Sequence, residues 1–223
     1  MQDNSNSYKE WDRIWTRKNC GSKFINMGRN AYNSFFKKLL MRRLRRDSQM
    51  LELGCGTATI GMLLSPFIKR YTGLDLSDVI LEKTKKLIAK RDIHNMDLLK
   101  GDCRNVPWSH KFDLVWSQGL VEHFNNAELI VKEHFKATKP GGTVLISVPY
   151  TYSYLNIWYY LTRPKFLRRF WPWTDQTFFS AKSLGIIGKR ISPNARSFVL
   201  QPFVLGIVIL EIKKPKAFYE NTV

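Results

Sequence analysis

The chain has 223 residues, 44% of them hydrophobic and 13% aromatic, enough to bury one sizeable core and too apolar for general disorder. Thirty-six Lys and Arg against 18 Asp and Glu leave a net charge of +18, a field that favours anionic partners without specifying a fold. Three widely spaced cysteines, Cys20, Cys55 and Cys103, argue against a disulfide framework and a cysteine-based zinc site, and make a reducing compartment the default.

The polar N-terminus carries no apolar run of the signal-peptide kind. The longest apolar run, residues 203–210, has eight residues, where a membrane-spanning helix needs about 18. The expected location is the cytoplasm, with peripheral attachment at the inner face of a membrane left open.

Tyr8, Trp11, Ile14 and Trp15 recur at helical spacing and predict a short amphipathic helix over 8–18. Gly21 and Gly28 are read as interruptions before a second helix over 30–46. The end of that helix, residues 37–46, holds six positive charges around Leu39, Leu40, Met41 and Leu44. Beyond Ser48 short apolar runs alternate with helical stretches: strands at 50–53, 71–74, 98–101, 112–116 and 143–148, and helices at 59–67, 77–91 and 127–138. Pro140-Gly141-Gly142 is read as the stop of the third of these helices. A helix over 180–190 and two β-rich runs, 197–204 and 206–212, complete the pattern. It predicts a Rossmann-like, doubly wound α/β fold: a seven-stranded, mostly parallel sheet with an antiparallel last strand. The domain reading is a helical extension over 1–47 and a domain over 48–223 with an insertion at 150–179.

The first strand runs into Leu51-Glu52-Leu53-Gly54-Cys55-Gly56-Thr57-Ala58-Thr59. Glycines at 54 and 56 allow a tight turn and close approach of a ligand to the backbone. A dinucleotide fingerprint would need a third glycine at position 59, and no Gly-Lys-Ser/Thr follows to make a P-loop. The stretch resembles motif I of the class I S-adenosylmethionine-dependent methyltransferases. The likeness continues in order through Asp75-Leu76 after strand two, Gly101-Asp102-Cys103 after strand three, Phe112 to Phe124 around strand four, and Lys139 to Pro149 around strand five. It covers about residues 48–149 and the terminal strand pair, and includes the methyltransferase type 11 and ubiquinone-biosynthesis O-methyltransferase branches. One departure is Ala58, where many relatives carry glycine.

The resemblance implies S-adenosylmethionine as cofactor. Glu52 would stand near its amino acid end, and Asp75, with Leu76 beside it, would accept from both ribose hydroxyls. Asp102 would take the adenine amino group with the Cys103 backbone nearby. Gly54, Cys55, Gly56 and Thr57 would pack on the cofactor's body, with Ser117 and Gln118 closing over it. His123, after strand four, is the candidate general base, since a histidine titrates near neutrality; His94, His110 and His134 are read as solvated. Glu122-His123 is similar to the E-x-x-E-H pattern of the ubiquinone-pathway enzymes, but Gly119 occupies the first acidic position and no metal is expected.

Residues 150–179 hold 12 of the chain's 30 aromatics, interleaved with Arg163, Lys165, Arg168 and Arg169. Tyr150, Trp158, Trp171 and Trp173 are the candidates for contact with the acceptor or with a membrane, where such rings sit at headgroup level beside cations. The expected function is methyl transfer to an apolar small-molecule or lipid-like acceptor, at an acidic membrane surface reached through residues 37–46 and 150–173. The alternative is a nucleic-acid methyltransferase using the basic surface, disfavoured because no N/D-P-P-Y/F signature follows strand four.

Overall fold

The computed structural model describes residues 11–12, 16, 23–164, 166–167, 176–200 and 206–216. Most of the expected 8–18 helix, Cys20, Lys165, Arg168, Arg169, Trp171, Trp173 and the second half of the 197–204 strand lie outside them.

The first long helix, α1 (Lys23–Met41), runs through Gly28 and stops short of the expected Arg46. A glycine inside a helix costs only about 1 kcal/mol. Here the buried stripe of Asn33, Phe36 and Leu40 outweighs that, each large apolar side chain contributing about 1.5–3 kcal/mol. Arg43 closes the helix end by donating to the Leu39 carbonyl at 2.7 Å.

The elements that follow are β1 (Gln49–Leu53), α2 (Thr59–Leu64), β2 (Arg70–Asp75), α3 (Asp78–Lys90), β3 (Met96–Lys100), β4 (Phe112–Gln118), α4 (Ala127–Ala137), β5 (Thr138–Pro149), α5 (Tyr154–Leu161), α6 (Ala181–Ile191), β6 (Ala195–Leu200) and β7 (Ile207–Lys213). Pro66 converts the end of the expected 59–67 helix into a 3-10 turn, Ser65–Phe67. Ser77 caps α3 and Ser180 caps α6, each accepting a backbone N–H of its helix. The helix α5 was not foreseen by sequence periodicity.

One seven-stranded sheet has the order β3-β2-β1-β4-β5-β7-β6. All the pairings through β5 are parallel, and β7 runs antiparallel to both β5 and β6. Alternating strand residues feed two cores. Met50, Tyr71, Leu114, Trp116 and Ile209 face α1, α2 and α3. Leu51, Leu53, Val115, Val144 and Leu210 face α4 and α6. Burial on both faces is what makes these strands read as continuous apolar runs. Pro140-Gly141-Gly142 lies inside β5 rather than ending α4, at a register shift opposite Phe112 and Leu114. A Cβ on Gly142 would sit 2.8 Å from the Asp113 carbonyl oxygen, so the strands close there only around glycine.

The buried Glu211 on β7 joins distant parts of the chain. Arg43 Nε donates to its Oε1 at 2.8 Å and Arg196 Nη2 to its Oε2 at 2.6 Å. Burial alone would raise the carboxyl, but its hydrogen bonds to the two guanidinium groups hold it below the usual glutamate range. A carboxyl lowered on folding stabilises the fold above its unfolded pKa near 4.3, and the contribution is lost as pH falls through the lower folded value. Glu211→Gln should therefore lower stability at pH 7 by about 2 kcal/mol, and the gap between variant and parent melting temperatures should close below pH 4.

Candidate functional site

The strand order reverses between β1 and β4, and in open α/β sheets ligands bind in the crevice outside the strand ends at such a point. Two loops border it. In the loop after β1, Gly54 has φ +65° and Gly56 φ +48°. A Cβ on Gly54 would come within 2.7 Å of Leu120 Cδ1, from the loop after β4, so close packing of the two loops requires glycine as much as the backbone angle does. Ala58 adopts the left-handed conformation at φ 46° and is wholly buried. That costs a residue with a Cβ about 1–2 kcal/mol relative to glycine, so the methyl group is accommodated rather than welcomed.

Asp75 ends β2 beside this loop. Its Oδ2 accepts the Gly56 amide at 2.8 Å and its Oδ1 accepts the Ser77 amide at 3.0 Å. Burial pushes the carboxyl up, and these amides partly offset the shift. Each oxygen keeps a further lone pair, so two vicinal hydroxyls can be bound by one carboxylate held in a fixed orientation. Leu76 next to it is half-buried, and Thr57 is exposed, its hydroxyl 2.9 Å from that of Thr59.

The other expected cofactor residues are placed less simply. The Glu52 carboxyl is buried behind the glycine loop and accepts the Tyr71 hydroxyl; burial raises its pKa to about 8. Asp102 is engaged by Arg104, whose Nη2 lies 2.6 Å from Oδ2 and whose amide lies 2.9 Å from Oδ1. Burial would raise this carboxyl, but Arg104 holds it below the usual range. Cys55 and Cys103 are buried thiols raised by desolvation. Gln118 is half-buried at the end of β4.

Ser117 points under α4. Its hydroxyl lies 2.8 Å from His134 Nε2, while His134 Nδ1 lies 2.7 Å from the Ile130 carbonyl. A carbonyl only accepts, so Nδ1 carries the proton and Ser117 donates to Nε2. This corrects the expectation that His134 is solvated: it is wholly buried, and its pKa is lowered to about 4 by burial. The signal was present in the sequence. His134 completes the inward stripe Ala127, Ile130, Val131 at helical spacing.

The β4 side of the crevice is built by the 3-10 turn Val121–His123. His123 is half-buried, with its ring edge-on to Trp11 at 4.9 Å between centroids. Asp12 accepts the Ser77 hydroxyl, so these two N-terminal side chains touch both the β4 and the β2 sides of the crevice. Glu122 is 3% exposed. Sequence reading passed over it in favour of its neighbour, because nothing in the residue pattern separates a buried acid from a helix-start acid here. Tyr150, at the end of β5, is half-buried and packs edge-on to Tyr152; Trp158 lies on the outer side of α5.

Residues 51–146 match the family model described as a methyltransferase domain. Over this stretch the chain is similar to known methyltransferase domains. The chain is 30% identical over 138 residues to the demethylmenaquinone methyltransferase of Geobacillus stearothermophilus, covering 57% of this chain and 58% of that one. It is 25% identical over 126 residues to the malonyl-[acyl-carrier protein] O-methyltransferase of Priestia megaterium, covering 56% and 45%. The chain thus spans about half the length of these relatives. Among solved structures, magnesium protoporphyrin IX methyltransferase from Synechocystis, with bound SAH, superposes with a TM-score of 0.70 at 14% identity, covering 93% of this chain and 94% of that one. At that identity the likeness is one of fold.

The buried His134 carries a pH dependence of its own. A histidine whose pKa is lowered on folding leaves the unfolded chain binding more protons. The stability contribution is complete above the unfolded value near 6.5 and is lost as pH falls from there toward about 4. Thermal melts should show this loss between pH 7 and 5 and show it reduced in the double variant His134→Leu, Ser117→Ala.

Proposed function

We propose that the chain binds S-adenosylmethionine at the β1/β4 crevice and methylates an apolar small-molecule or lipid-like acceptor held on the β4 side. The observation that carries the reading is the Asp75 carboxylate, oriented by two backbone amides beside the Gly54-Cys55-Gly56-Thr57 loop. This donor set fits the cofactor's nucleoside: an acceptor-only carboxylate for the ribose diol and a glycine loop without a Cβ wall. When bound, the cofactor supplies a methyl group on a positively charged sulfur. Asp75 fixes the ribose, and the half-buried Leu76 and the backbone beyond β3 wall the adenine. Asp102 contributes once it shares its oxygens with Arg104. Glu122 and His123 lie on the acceptor side of the crevice, and one of this pair receives the proton that the acceptor loses. The relatives named for methylating demethylmenaquinone and magnesium protoporphyrin support an acceptor with a large apolar body.

Asp75→Ala should weaken binding of S-adenosylhomocysteine by about 1.5–3 kcal/mol, the scale of charge-assisted hydrogen bonds. Unchanged affinity in calorimetry would remove the ribose assignment.

The acceptor is proposed to be reached at an acidic membrane surface. Among the described residues no helix is long and apolar enough to cross a bilayer. What supports surface contact is α5, which turns Tyr159 inward and leaves Tyr154, Ile157, Trp158, Tyr160 and Leu161 exposed, with Arg163 over the Tyr160 ring. Aromatic and apolar side chains beside a cation suit the headgroup boundary. In vesicle sedimentation the protein should prefer phosphatidylglycerol to phosphatidylcholine and release as salt rises. Ile157→Ala with Trp158→Ala should weaken binding at low salt as well. Binding equal to the parent's would make α5 a lid instead.

A further inference from the structure

Glu122 lies in the turn after β4, at the carboxyl edge of the sheet beside the strand-order reversal. Its side chain is almost wholly buried, and among the described residues its Oε2 has no hydrogen-bond partner. Its Oε1 lies over Gly119, 3.5 Å from where a Cβ there would stand. The turn is pinned from the insertion, since the Thr177 amide donates to the Glu122 carbonyl at 2.8 Å. Tyr32, from α1, lies close enough to Glu122 and to Tyr154 of α5 for their charges to add to the effect of burial on its own hydroxyl. A carboxyl is thus buried where α1, α5 and the β4 loop converge, on the side of the crevice assigned to the acceptor.

Burying a carboxyl without a partner is costly: even neutral, the group forfeits its hydrogen bonds to water. Among the described residues no side chain forms a hydrogen bond with Oε2, so the Val121–His123 turn gains nothing from the charge there. The acid is explained if the partner of Oε2 is the acceptor itself. We propose that Glu122 is the proton-exchanging group of the acceptor pocket, whose carboxylate takes the proton of the acceptor's hydroxyl. The O–H bond breaks, its electron pair stays on the acceptor oxygen as the nucleophile, and an Oε2–H bond forms. Burial raises the Glu122 pKa to about 8, which suits a group that both accepts and releases a proton near neutral pH. Among the described residues the ionisable side chains around it are Tyr32, Tyr154 and, within its own turn, His123. This inference rests on the cofactor and acceptor sides proposed above.

The test uses 2-naphthol and 2-naphthoate as probes, titrated calorimetrically into the full chain saturated with S-adenosylhomocysteine. With Glu122 in the pocket, 2-naphthoate affinity should fall by about tenfold or more between pH 7 and pH 9, as two carboxylates come face to face. The affinity of 2-naphthol, which offers a hydroxyl, should change far less. Glu122→Gln should abolish the fall for 2-naphthoate. Glu122→Asp, which keeps the charge, should retain it, and either variant suffices if the other fails to fold. A 2-naphthoate profile that is flat in the parent, or equally steep in Glu122→Gln, would overturn the inference. Failure of the parent to bind S-adenosylhomocysteine would instead bring down the cofactor reading.

Discussion

The reversal of strand order between β1 and β4 is the constraint on which the rest of the molecule depends. Strands buried on both faces leave no room for a ligand above or below the sheet, so function is confined to its edge. At that edge the chain from β1 turns toward β2 while the chain from β4 turns toward β5, and the two loops part. Gly54 and Leu120 meet at the base of the parting. Above them, Asp75 faces in from one side and the Glu122-His123 turn from the other. The methyl transfer proposed for this crevice needs that two-sided arrangement, because donor and acceptor must approach one point from different directions.

The buried ionisable groups show how differently one fold compensates such groups. Glu52 is satisfied by a tyrosine, Asp75 by two amides, and His134 by a serine and a carbonyl. Each of those three is fixed by packing that the protein itself supplies. Among the described residues Glu122 stands apart from these three in having an oxygen without such a partner. The contrast argues that the fold is capable of satisfying a buried acid where rigidity is wanted, and that an unsatisfied one is retained for another reason.

Much of this was legible in the residues. The alternation of apolar runs and helical stretches conveyed the sheet and its layers, because parallel strands buried on both faces leave a strong signature. The glycine loop and Asp75 were visible because their chemistry demands particular residue types at a fixed spacing. What stayed hidden depended on tertiary context. Gly28 reads as a break but sits in a helix held by Phe36 and Leu40. Pro140-Gly141-Gly142 reads as a helix stop but forms an irregular stretch of β5. Histidine is polar by type, so His134 looked solvated until the stripe it belongs to was seen packed on Ser117. Motif matching likewise assigned Glu52 and Asp102 by position, whereas Tyr71 and Arg104, which engage them, belong to no motif.

The Arg43–Glu211–Arg196 contact also bears on the order in which the chain is assembled. Its members Arg43 and Glu211 are 168 residues apart in sequence. During synthesis α1 precedes β7, so the carboxylate that fastens its end is supplied only when β7 has been made and inserted between β5 and β6. Until then Phe36 and Leu40 have an incomplete surface to rest on, because Ile207 and Ile209 of β7 belong to the same core. Closing so long a loop is slow, and a core completed late leaves apolar surface exposed in the meantime. The helix α1 is therefore among the last elements to be locked, although it precedes β7 in the chain.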